Sequence, residues 1–183
     1  MARIRPKKTL GTFQSPWIRS LARLIETQGK PTLVRWACAY AEAHVLPVYE
    51  RARPGDPRPR AALGNAVGWL EGRVRFVDAK QTNYDAHAAA TAAEGDPAAQ
   101  AAARACAHAA LTIHVAAHCL GLAFYGCAAL AYARAGVDAA PDVLDAIAAE
   151  ECGRMEAALR GMAVAEEPEP AHVDWKLWDR VVG

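Results

Sequence analysis

The 41 residues from Asp96 to Gly136, DPAAQAAARACAHAALTIHVAAHCLGLAFYGCAALAYARAG, constrain this chain more than any other stretch. Alanine dominates, three histidines and three cysteines sit among apolar residues, and no charge falls between Arg104 and Arg134. A segment of that kind, with strong helix formers on every side, reads as one long buried helix or two collinear ones. Alanine at this density also lets neighbouring helix axes approach closely.

Proline and glycine mark where the other helices begin and end. Ser15-Pro16 opens a first helix, with Trp17, Ile18, Leu21, Leu24 and Ile25 recurring on one face as far as Gln28. Pro31 opens a second that runs toward Pro54, with Pro47 bending its last turn. Asp56 and Pro57 start a third, which closes near Gly72. Asp78 caps a fourth, ending about Ala93 before Gly95, and Asp96-Pro97 begins the central helix, in which Gly121 and Gly126 permit close packing or mark a kink. Pro141 starts the last, with Leu144, Ile147, Met155 and Leu159 on its apolar face. No run alternates with period two for long enough to make a strand. The expected fold class is therefore all-α, a compact array of about six helices around a long alanine-rich one.

Three segments follow from this pass: a basic N-terminal arm over 1–14, a single helical domain over 15–163, and over 164–183 a linker with an amphipathic tail carrying Trp175 and Trp178. The tail is expected to dock on the body. At 183 residues the chain suits one core.

Charge excludes more than it suggests. Lys and Arg number 21 against 20 Asp and Glu, so no whole-molecule field favours nucleic acid or a membrane. The ends differ, with bases near the N-terminus and Glu166, Glu167, Glu169 and Asp174 near the other, an arrangement that allows mutual attraction. The run Ala105–Ala133 is apolar, but its histidines and alanines fit a core helix better than a membrane span. Five cysteines, all in helix-patterned surroundings, fit buried reduced thiols, and the interrupted apolar character after the basic start argues against a cleaved signal. The expectation is a cytoplasmic protein without cofactor.

Histidines are the first candidates for chemistry. On a continuous helix His114 and His118 lie about 40° apart around the axis and about 6 Å along it, a workable metal-ligand pair. His108 lies about 15 Å from His118 on the same basis and makes a poor third. The remaining ligand would come from His44, His87, Glu150 or Glu151 on another helix. The competing reading gives these histidines ordinary hydrogen-bonded places in the core. No HExxH, CxxC, GxSxG, Walker or GxGxxG motif is present. Arg58 and Arg60, held in the proline-stiffened segment Pro54–Arg60, offer guanidinium forks to a carboxylate or phosphate, or else pair with acids within the fold.

Three segments in order, WACAYAEAHVLPVYE from Trp36, GDPRPRAALGNAVGWLEG from Gly55 and ARACAHAALTIHVAAHCLGLAFYGCAAL from Ala103, resemble the Imm-five-like immunity proteins of bacterial polymorphic toxin systems, over about 31–161. The matching features are Val45-Leu46-Pro47, the acidic-then-RPR segment Asp56 to Arg60, Trp69, and the spaced His108, His114 and His118, with Tyr49 replacing the usual phenylalanine. The resemblance implies a non-catalytic cytoplasmic binder that occludes a cognate toxin, with Arg58, Arg60 and the three histidines as candidate contacts. The near-neutral charge disfavours a basic nuclease as target. The alternative is a small helical metal-binding protein or metalloenzyme using His114 and His118. A nucleic-acid role for the basic arm ranks last, and Trp175, Trp178 and the alanine surface suggest a homodimer.

Overall fold

A computed structural model describes residues 6–178. Eight α-helical segments make up the body: α1 (Pro16–Ile25), α2 (Lys30–Tyr40), α3 (Leu46–Ala52), α4 (Arg58–Leu70), α5 (Phe76–Ala92), α6 (Pro97–Leu111), α7 (Cys127–Ala135) and α8 (Pro141–Met162). A π turn over Ala41–Val45 carries α2 straight on into α3, leaving seven continuous helices and no strand among the described residues. Pro47 explains that turn. It has no N–H to donate and its ring collides with the carbonyl four residues back, and the widened turn absorbs both problems without ending the helix.

The sequence signals hold at most helix starts. Pro16, Pro97 and Pro141 occupy first-turn positions, and the Asp96 carboxylate accepts from the Ala99 N–H at 3.0 Å, whereas α4 starts one residue later than expected, with Pro57 at the N-cap in place of Asp56 and Pro59 in the first turn. Helix α5 begins two residues before the expected cap. Arg75 holds the N-cap position, and Asp78 sits in the first turn, paired with Arg75.

The alanine-rich segment does not form one helix. Helix α6 stops at Leu111, the chain turns through Thr112–Val115, a 3₁₀ turn follows at Ala116–Cys119, and a second helix runs through a π turn (Leu122–Gly126) into α7. Three of the four residues Thr112, Ile113, His114 and Val115 are β-branched, and these lose rotamer freedom against the preceding helical turn. The Thr112 hydroxyl also bonds back to the His108 carbonyl at 3.3 Å, a contact that bends helices. Val115 then adopts an extended conformation, with φ −130° and ψ 122°. The two halves fold back on each other, so α6 packs against both the π turn and α7.

Helix α6 is the hub, touching α2, α3, α4, α5 and α7, and nine of its alanines and cysteines are buried. The stretch Ala116–Ala135 is long and apolar enough to cross a membrane, yet 83% of its most apolar window is buried inside the protein, the signature of a core helix. Gly121 is a position that needs its missing side chain: a Cβ there would lie 2.6 Å from His108 Cβ and 2.7 Å from the Trp178 ring.

Both flanking segments are seated on this body. Leu10 is buried and donates its N–H to the Phe124 carbonyl, and the Tyr132 hydroxyl donates to the Lys7 carbonyl. Arg3 and Arg5 of the basic arm lie outside the described residues, as does the end of the tail beyond Trp178. The linker is strapped down. The Gln28 side chain accepts from Val164 N at 2.8 Å, its carbonyl accepts from Ala171 N at 2.9 Å, and Glu167 accepts from Gly29 N. A 3₁₀ turn over Trp175–Trp178 then inserts Trp178, fully buried, between the π turn and the end of α6.

Candidate functional site

The turn at Thr112–Val115 reassigns the histidines. His118 is not one helical turn beyond His114. It comes back beside His108, with the two Nδ1 atoms 3.1 Å apart. The pair on which a metal-binding reading rested, His114 with His118, therefore lacks its shared helix, and His108, the expected outlier, is the actual neighbour.

His108 sits at the centre of an aromatic cluster. Its ring stacks on Tyr125 at 5.1 Å and 8°, meets His87 edge-on at 5.5 Å, and lies 4.9 Å from Trp178. Burial holds His108 well below the ordinary imidazole range, with His118, His87 and Arg104 nearby adding to the effect. Burial first, then the neighbouring His114 and His87, brings His118 down to about 4. Two neutral rings explain the contact, since one Nδ1–H donates to the lone pair of the other.

Among the described residues no group of three or more His, Cys, Asp or Glu side chains is placed to hold a metal ion. The proposed third ligands are engaged elsewhere. His44 packs on Tyr40, His87 on His108, Glu150 on Arg134 and Arg154, and Glu151 on Arg154. All five cysteines are buried and unpaired, in line with their helical surroundings.

Arg58 and Arg60 belong to the first turn of α4, and both forks are filled from within the fold. Asp56 receives Arg58 through Nε at 2.9 Å and Nη2 at 2.6 Å, and also accepts from the buried Tyr49 hydroxyl at 2.5 Å. Those donors hold the Asp56 carboxyl far below the usual range, and burial together with the Asp56 carboxylate pushes the Tyr49 hydroxyl up to about 12. Arg60 spans Glu50 and Glu42 at 2.7 and 3.0 Å. Both side chains nevertheless keep part of their surface open to solvent.

The two arginine clusters differ in expected weight. Asp56→Ala strands a buried phenol and costs about 2 kcal/mol, whereas Arg60→Ala removes an exposed pair and costs less than about 1 kcal/mol. Urea unfolding of both variants tests this, and equal losses would show that Asp56 carries no special load.

His114 is exposed in a different setting. Its ring lies 6.0 Å from Phe76, which meets Trp69 at 5.9 Å, and Val115 beside it is exposed. Helix α5 carries two further exposed apolar side chains. Val77 and Tyr84, seven residues apart and so on one line of the helix, are 61% and 57% exposed. Ala79, Asn83, Ala86, Ala89 and Ala90 fill the opposite, buried face. Phe76 and Val77 fall before the helix start expected at Asp78. Two apolar residues directly before an assumed cap are the signal that the helix begins earlier.

Most alanines of α6 and α7 are buried, Ala133 and Ala135 at the end of α7 being exposed, and Trp178 is sealed within its own chain. Trp175 is bound too, its Nε1 donating to Glu26 at 2.6 Å.

Taken together, these features define an all-α domain with an alanine-built core and exposed aromatic and aliphatic side chains on and beside α5. The model of the family described as "Imm-5 like putative immunity protein" matches residues 23–158, and the chain belongs to that family. No curated protein and no solved structure gave a match.

Proposed function

We propose that the protein is a non-catalytic cytoplasmic binder that neutralises a cognate bacterial toxin by covering part of its surface. Family membership across 23–158 carries this reading. The contact surface we assign is the outer face of α5 with the turn beside it: Val77, Tyr84, Phe76, His114 and Val115. Interfaces concentrate aromatic side chains at their centres and depend on a few of them for most of the binding energy. Tyr84 suits that role, with Lys80 6.0 Å from its ring centroid. Of the residues expected from sequence, His114 stays in the proposed contact. His108 and His118 pack in the aromatic cluster, and Arg58 and Arg60 pair with acids of the fold.

Co-production with the cognate toxin tests the reading. The wild-type chain restores growth, and the double variant Val77→Asp with Tyr84→Asp, both at exposed positions, weakens binding at least about tenfold and loses protection. Equal protection by the variant would move the interface elsewhere. A toxin turned over or chemically altered by the chain would overturn the non-catalytic assignment.

A further inference from the structure

A cleft of about 740 Å³ is walled by the C-terminal end of α5, the first half of α6, the loop after α7 and the N-terminal segment. Its size is that of a small-molecule site. Arg104 lines it, and the Arg104 Nε is buried without a hydrogen-bond partner. A guanidinium N–H left in that state is costly, and in native proteins such groups normally find a ligand, an ion or water. Lys7 and Lys8 line the same cleft, on a segment fixed there by Tyr132 and Phe124. No ion pair among the described residues uses Arg104, Lys7 or Lys8.

We infer that this cleft binds a small phosphate monoester, its phosphate on Arg104 with Lys7 and Lys8 beside it, and its hydroxyl groups toward Glu94 and Asp138. Three cations against the two carboxylates of Glu94 and Asp138 leave the lining with one positive charge in excess, and a planar fork with two lysines suits the several oxygens of a phosphate. Glu94 and Asp138 line the cleft as well and are acceptors only, so they suit hydroxyl donors rather than a second phosphate. The site rests on its own geometry and is independent of the toxin-binding reading.

Thermal unfolding of the full chain, at fixed ionic strength, with ribose 5-phosphate, ribose, inorganic phosphate or succinate, tests the assignment. Ribose 5-phosphate raises Tm by roughly 5 °C at a hundredfold excess over Kd, inorganic phosphate raises it less, and ribose and succinate leave it unchanged. Arg104→Gln weakens the ribose 5-phosphate response roughly tenfold, and Lys7→Ala with Lys8→Ala reduces it further. Equal shifts with succinate would overturn the phosphate assignment, and no shift with either phosphate would overturn the site. Should Arg104→Gln fail to fold, amide shifts of the wild-type chain decide: changes at Thr91, Gly95, Gln100 and Ala101 support the cleft, and changes confined elsewhere reject it.

Discussion

Trp178→Ala lowers the free energy of unfolding by about 3–5 kcal/mol, the range for deleting a fully buried large aromatic. The ring packs on His108 at 4.9 Å and Phe124 at 5.3 Å, and its Nε1–H donates to the Ala117 carbonyl at 2.9 Å. Alanine leaves both a cavity and an orphaned carbonyl beneath the tail. Trp178→Phe keeps most of the ring and loses the hydrogen bond, so its loss is smaller, with a hydrogen-bond component of about 1 kcal/mol. Urea denaturation followed by far-ultraviolet circular dichroism measures both. A change under about 0.5 kcal/mol for the alanine variant would mean that the tail does not dock in solution.

Acid weakens the fold in a window set by histidines rather than carboxylates. His108, His118 and His87 all have folded-state values below 6.5, so the unfolded chain takes up their protons first. Stability is therefore fully present above about pH 6.5 and falls as pH drops through 6.5 toward 4. His118, at about 4 and only partly buried, contributes a loss of about 2 kcal/mol by pH 4.5. His108, more deeply placed, adds to it. The paired carboxylates Asp56 and Glu50, lowered from 3.8 and 4.5, act in a lower window, their stabilisation being lost as pH falls below those values. Unfolding free energies between pH 7 and 4.5 for wild type and His118→Gln separate the two. The variant should show a shallower slope, and parallel slopes would show that His118 titrates normally.

Both expectations lie on the same cluster, which the linear pattern hid. Helix starts were legible because a proline or an aspartate acts within a few residues of itself. The all-α class was legible because alanine in long runs has few alternatives. The single break at Thr112–Val115 was legible only in retrospect. Its β-branched residues disfavour a helix by tenths of a kcal/mol each, too little to decide the matter locally against the flanking alanines. What decides it is the burial gained when the second half folds back on the first.

That one reversal accounts for much of what sequence reasoning misplaced. It exchanges His114 for His108 as the partner of His118, and turns His114 outward to Phe76. Arg58 and Arg60 illustrate the same limit, since their forks were visible but the positions of Glu42 and Glu50, 18 and 10 residues away from Arg60, were not. Nothing in the sequence distinguishes Arg104, because an unpartnered nitrogen is a property of surroundings and not of residue type.

Composition, proline placement and three ordered motifs thus suffice for the class, the helix order and the family, all of which depend on interactions over a few residues or on shared ancestry. Which side chains meet in the aromatic cluster, which face of α5 stays bare and where a cleft opens depend on contacts between residues distant in the chain. Local propensities are nearly silent about such contacts, because the energy that selects them arises from burial when the helices pack.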